Sequence, residues 1–151
     1  MGAIFEKKFQ VGWRDVDPNG HVANMVYLEY AVDTRIAFFA SQAFPPQEFL
    51  RHGLGPVIKS DHVEYFREVL MLDEIRVTME NGGHSEDGSR FRVINNFHKA
   101  GGELAARVTS IGGWLNLKER KLMEPPEDLK NAWLALERTK DFEELKSSLK
   151  K

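Results

Sequence analysis

Residues 24–43 restrict most strongly what this chain can become. They include Met25, Val26, Tyr27, Leu28, Tyr30, Ala31, Val32, Ile36, Ala37, Phe38 and Phe39 with little interruption. The run is too long for a strand and is apolar around most of a helical circumference. Glu29 and Asp33, four residues apart, form one polar stripe. Such a helix must be covered, so the rest of the chain has to supply a surface that wraps it. Asn24 stands where an N-cap is expected. Pro45 and Pro46 end the run.

The remainder reads mainly as strands. In residues 4–13, Phe5, Phe9, Val11 and Trp13 alternate with Glu6, Lys8 and Gln10, the pattern of a half-buried strand. Residues 56–66, 73–80, 89–98 and 103–117 make four more. Gly82, Gly83, Asp87 and Gly88 mark one hairpin loop, and Gly101 with Gly102 a tighter one. Gly112 and Gly113, inside the last strand, imply a bulge or a close backbone approach. Pro125 and Pro126 open a small amphipathic helix carrying Leu129, Ala132, Trp133 and Leu136. Beyond Arg138 the chain is highly charged and is expected to be loosely held. The reading is one domain over residues 1–138 with a charged tail over 139–151. Its class is α+β, with an antiparallel sheet of about five strands curled around one long buried helix.

Composition narrows the function. A net charge of -2 argues against a broad nucleic-acid surface. The absence of cysteine excludes a thiolate nucleophile, a disulfide framework and a cysteine metal site, and it fits a cytoplasmic setting. The first eight residues have no apolar core of a signal peptide, and no run reaches membrane-spanning length. His21, His52, His62, His84 and His98 show no paired zinc-hydrolase spacing, so no metal site is expected.

Residues 15–24 carry the chemistry. Pro18, Asn19 and Gly20 are explained by turn formation. Asp15, Asp17 and His21 are not required for it. On the residues alone, either aspartate fixes a turn through an Asx hydrogen bond or does chemistry. His21 either bonds to backbone or acts as an acid, and Asn24 either caps the helix or meets substrate.

The order Asp15-x-Asp17-x-x-Gly20-His21-Val22-Ala23-Asn24-x-x-Tyr27-Leu28-x-Tyr30 resembles the hotdog-fold thioesterases of the 4-hydroxybenzoyl-CoA thioesterase family. Arg35 fits the same pattern further along the helix, and residues 64–77 look like a second family segment. Ala23 departs from it where asparagine is frequent, and Glu68 where proline is usual. The likeness spans residues 5–117.

The resemblance implies a hotdog fold and hydrolysis of an acyl-CoA thioester, or an acyl-carrier-protein thioester, without metal or cofactor. It implies Asp17 as nucleophile or as general base for water. A carboxylate is the ordinary form of aspartate at neutral pH. Backbone N–H groups of Ala23 and Asn24, at the positive end of the helix dipole, would hold the oxyanion. Gly20 would allow close approach, Asp15 would orient the loop, His21 would contact substrate, and Tyr27 would line an acyl pocket or join the core. His62 and Glu64, at alternate positions of one strand, share a face that either approaches the site, from the sheet or from a partner subunit, or is a solvent-facing polar edge. Relatives of this kind are homodimers or homotetramers. Phe38, Phe39, Phe44 and Phe49 line an acyl tunnel or fill the core. Arg90, Arg92, Lys99 and Arg107 meet CoA phosphates or are ordinary solvated strand residues. Two other functions share these residues. One is a hydratase or dehydratase using His21 with Glu29 or Asp33; the other is a non-catalytic acyl-CoA or acyl-carrier binding module.

Overall fold

The structure, a computed structural model, describes residues 4–149. The chain runs β1 (Phe5–Gln10), a 3₁₀ turn (Trp13–Asp15), α1 (Asn24–Ser41), α2 (Pro46–His52), β2 (Leu54–Tyr65), β3 (Glu74–Ser85), β4 (Arg90–Lys99), β5 (Leu104–Asn116), β6 (Lys121–Met123), α3 (Glu127–Leu134) and β7 (Arg138–Leu145). One sheet holds all seven strands, in the path β1-β3-β4-β5-β2, with β6 on β5 and β7 on β3. All pairs are antiparallel except β3 with β7.

α1 lies on the inner face of this sheet. Val26, Tyr27, Tyr30 and Ala31 pack on Ile75, Val77, Phe97, Ala106 and Val108. Phe38 and Phe39 join Met79, Phe91, Val93 and Trp114 in a second cluster, which α3 closes with Leu129, Ala132 and Trp133. Arg35 reaches inward from α1. Its Nε donates to Asn95 Oδ1 at 3.0 Å and its Nη2 to Ser110 Oγ at 2.8 Å.

The helix is less enclosed than its composition implied. Met25, Val32 and Ile36 face outward, 61%, 45% and 48% exposed. A single sheet covers only one side of a cylinder, so the opposite apolar stripe stays open. Trp13 also departs from expectation. β1 ends at Gln10, and Trp13 falls in the 3₁₀ turn at 80% exposure.

Three further differences concern the sheet. Gly82 and Gly83 lie inside β3 at a bulge rather than in a loop, and the turn is made by the Asp87–Gly88 pair beyond. At Gly112 a close approach exists, because a Cβ there would collide with the Val57 carbonyl of β2. The segment read as a loose tail is a strand, β7, held by Arg92 Nη2 to Asp141 Oδ2 at 3.3 Å and by Arg138 stacked over Phe142 at 4.1 Å. Beyond it Ser147 and Ser148 bond the Asp87–Ser89 turn. The folded unit therefore continues past residue 138. Among the described residues no helix is long and apolar enough to cross a membrane.

Candidate active site

The segment between β1 and α1 folds as a braced loop. Asp15 Oδ2 accepts from the Gly12 N–H at 2.8 Å and from the Tyr30 hydroxyl at 2.8 Å. Its carbonyl accepts the Ala23 N–H at 2.8 Å, which closes the loop onto itself. Inside that brace the Asp17 N–H donates to the His21 carbonyl at 2.9 Å, and the Gly20 N–H to the Asp17 carbonyl at 3.0 Å. Gly20 sits at φ +82°, a left-handed conformation that disfavours any side chain.

Asp17 combines both roles that its residue type allows. Oδ1 accepts the Asn19 N–H at 2.8 Å, an Asx turn. Oδ2 lies 3.4 Å from His21 Nδ1, with the Asp17 side chain 23% exposed. The same His21 nitrogen is 3.2 Å from the Val22 carbonyl. Asp17, His21, Val22, Asn24 and Tyr27 form one side of a cleft of about 490 Å³. Tyr65, Phe66, Arg67 and Glu68, at and beyond the end of β2, form the other. Tyr27 packs edge-on against Tyr65 and Phe97. Burial, then Tyr65 and Asp17, push its pKa up to about 12, so its hydroxyl stays protonated and able to donate.

The start of α1 corrects two sequence expectations. The N-cap is Ala23, with no side-chain cap bond, and Asn24 is the first helical residue. The Ala23 N–H is engaged by the Asp15 carbonyl, so it is not free for an oxyanion. The N–H groups of Asn24 and Met25 have no acceptor in the chain among the described residues. They remain as the open positive end of the helix.

His62 lies elsewhere. It pairs with Thr109, while its neighbour Asp61 pairs with Ser110 on the inner face. Alternation along a strand then puts His62 on the outer face. There it lines a separate groove with Glu64, Glu80, Arg92 and Arg107. The structure does not bring it together with Asp17. Gly20 shapes the turn but does not line the cleft. Arg90, Arg92, Lys99 and Arg107 do not line it either, and Lys99 Nζ instead donates to the Glu68 carbonyl at 2.9 Å. The residues missed from sequence are Tyr65, Phe66, Arg67 and Glu68. Their only signal was that all four fall in the second family-like segment. Among the described residues no group of three or more metal-ligating side chains is assembled.

A curled antiparallel sheet around a central helix, with a carboxylate-bearing loop feeding that helix, defines the hotdog class. The chain belongs to the thioesterase-like superfamily, whose family model matches residues 11–133. Solved structures share the fold. A Staphylococcus aureus protein determined in complex with CoA aligns at TM-score 0.82 and 19% identity, covering 92% of this chain and 89% of that one. A 1,4-dihydroxy-2-naphthoyl-CoA thioesterase from Synechocystis aligns at 0.78 and 19% identity, covering 87% and 96%. A DHNA-CoA thioesterase from Staphylococcus aureus aligns at 0.79 and 13% identity, covering 87% and 89%. A search of curated protein sequences found no match.

Proposed function

We propose that this protein hydrolyses an acyl-CoA thioester to the free acid and CoA. One observation carries the reading: the Asp17 carboxylate and the unpartnered start of α1 open onto the same cleft. A thioester carbonyl seated there meets a carboxylate on one side and backbone donors on the other. Asp17 acts either as nucleophile, displacing the CoA thiolate to leave an anhydride that water opens, or as general base for that water. The developing oxyanion is held by the Asn24 N–H and by that of Met25. Tyr27 donates from the cleft wall, and Arg67 at the rim gives the substrate's phosphates a cationic partner. His21 orients Asp17 through the 3.4 Å contact.

The working form is a homodimer or homotetramer. Among the described residues β2 ends the strand path with an unpaired outer edge, and edges of that kind are normally covered. The exposed Val32 and Ile36 of α1 add apolar surface for a second copy. Sedimentation analysis giving a monomer at all concentrations would remove this part.

The decisive experiment is an acyl-CoA panel with a thiol-trapping dye, run on the wild-type chain and on Asp17→Asn. CoA release that falls at least ~10³-fold in the variant supports the assignment, since covalent or base catalysis contributes about that much. Undiminished release in Asp17→Asn would sink the role of Asp17. Tight acyl-CoA binding without release favours a binding module, and water addition to an enoyl-CoA favours a hydratase.

A further inference from the structure

The cleft wall opposite Asp17 leaves the sheet before the chain turns back into β3. Tyr65 is the last residue of β2. The Phe66 and Arg67 N–H groups both donate to the Ala105 carbonyl, at 2.8 and 3.1 Å. The next backbone anchor is the Val69 carbonyl, which accepts the Val22 N–H at 2.8 Å. Glu68 lies between these anchors. Among the described residues its N–H has no acceptor in the chain, and its carbonyl is bonded by a side chain, Lys99 Nζ at 2.9 Å.

Lys99 is itself held in place. It closes β4, opposite Ile75 of β3. Its N–H donates to the Glu103 carbonyl at 2.9 Å and its carbonyl accepts the Gly102 N–H at 2.8 Å, so the tight hairpin fixes where its side chain begins. An ammonium offers three donors on a compact head. The same Nζ lies 3.8 Å from Asp73 Oδ2, an oxygen that also accepts the Leu70 N–H at 2.9 Å. The Asp73 N–H in turn donates to the Leu70 carbonyl at 3.1 Å. One cation therefore faces both ends of the segment 68–73, a carbonyl at its start and a carboxylate at its finish. Charge-assisted bonds of this kind are stronger than neutral ones. Lys99 does not line the cleft, so it acts there only through Glu68.

We propose that Lys99 is a positioning residue of the Asp17 cleft: its ammonium pins the wall made by Tyr65, Phe66, Arg67 and Glu68 at a set distance from Asp17 and Tyr27. The consequence for turnover rests on the hydrolase reading, whereas the pinning of the wall does not. The wall grips substrate and carries none of the reacting groups. Releasing it weakens the grip on ground state and transition state alike, which raises KM and leaves kcat in place.

The test compares the full parent chain with Lys99→Met, which keeps an apolar stem and removes the ammonium, and with Lys99→Arg, which keeps a cationic donor. In Lys99→Met, amide exchange across residues 66–72 is expected to quicken about fivefold, with β3 and β5 exchanging as in the parent. CoA, titrated by calorimetry, is expected to bind about fivefold more weakly. The KM for acyl-CoA rises by the same factor while kcat stays within about twofold. The melting temperature moves little, since the Lys99 side chain is 29% exposed and its ion pair with Asp73 is long. Lys99→Arg restores exchange, CoA affinity and KM. Parent-like exchange across 66–72 in Lys99→Met overturns the proposal, as does quickened exchange with CoA affinity unchanged. A joint fall in kcat and melting temperature at constant KM also overturns it, because that marks a general loss of structure. A parent chain that hydrolyses no acyl-CoA removes the hydrolase reading, and exchange across 66–72 still decides whether Lys99 pins the wall.

Discussion

The Tyr30 hydroxyl donates to Asp15 Oδ2 across 2.8 Å, and that bond ties the Asp17 loop to the middle of the helix it feeds. Burial, and then the bond itself, push the Tyr30 pKa up, so the hydroxyl remains a donor across the working pH range. The ring is held by a parallel stack on Phe9 of β1, with centroids 4.4 Å apart. Removing only the hydroxyl in Tyr30→Phe deletes a bond to a charged acceptor. A loss of about 1.5–3 kcal/mol is expected in urea unfolding. The acyl-CoA kcat is expected to fall more than KM changes, because loop placement suffers rather than substrate contact. An unchanged kcat would mean that Asp15 needs no help from α1.

Asn24 offers a test of backbone chemistry that side-chain substitution seldom allows. It is the first helical residue, where proline is tolerated and its missing N–H would have had no helical partner. Ala23 before it has φ −66° and ψ 144°, a conformation that a following proline accepts. Asn24→Pro therefore deletes one N–H from the cleft with little cost to the fold. A drop in kcat of about 10²-fold relative to Asn24→Ala is expected, as for an oxyanion donor. Equal rates in the two variants would assign the oxyanion to Met25 or to other groups.

The cap position predicts an opposed change in stability and activity. Ala23 leaves the start of α1 without a side-chain cap. An aspartate there would accept from the Met25 or Val26 N–H and add about 1 kcal/mol of helix stability. It would also place a negative charge at the proposed oxyanion site. Ala23→Asp is expected to melt higher and turn over more slowly, read by calorimetry and by CoA release on the same sample. A variant that melts higher with full activity would detach the helix start from the reaction.

A pH effect is expected at the far end of the molecule. His84 Nδ1 receives the Trp133 indole N–H at 3.3 Å and lies 3.2 Å from Asn81 Nδ2. Both are donors, so that nitrogen must hold a lone pair. Burial, followed by Arg138 and Lys130, lowers the His84 pKa, and Glu144 opposes the shift. The folded chain thus binds this proton less readily than the unfolded chain. The associated stability is complete above the ordinary imidazole value of about 6.5 and is lost as pH falls from there through the lower folded value. His84→Gln should show a flatter melting temperature between pH 8 and 5 than the parent protein. Parallel curves would exclude His84 as the source.

The loop and its helix were legible because their signals are local. Asp15, Asp17, Gly20 and His21 lie within a few residues of each other, and an apolar run of this length can hardly be anything but a helix. The opposite wall of the cleft was not legible in the same way. Tyr65, Phe66, Arg67 and Glu68 are distant in sequence and reach the Asp17 loop because the chain just beyond them pairs with it, through the His21–Leu70 bridge and the Val22 N–H on the Val69 carbonyl. His62 shows the limit of alternation as a guide: period two tells which residues share a face, and the partner strand decides which face that is. β7 escaped notice because its residues are mostly charged. It is stabilised by long-range pairing with β3, by Arg92 and by the Arg138–Phe142 stack, none of which leaves a periodic trace.

β3 has two neighbours along a single edge, with β1 over its first half and β7 from Asn81 to Ser85. β1 and β7 therefore shield the same row of amides. A chain shortened to residue 138 would keep the Asp17 loop intact and yet leave the second half of β3 bare. A bare edge of that kind recruits other chains. Lys140, Asp141, Glu143 and Glu144 put charge on the strand that would otherwise be missing, the usual composition of a gatekeeper against aggregation. What looks like a dispensable charged segment is thus a guard on solubility, and its loss should register as precipitation well before it registers as a change in turnover.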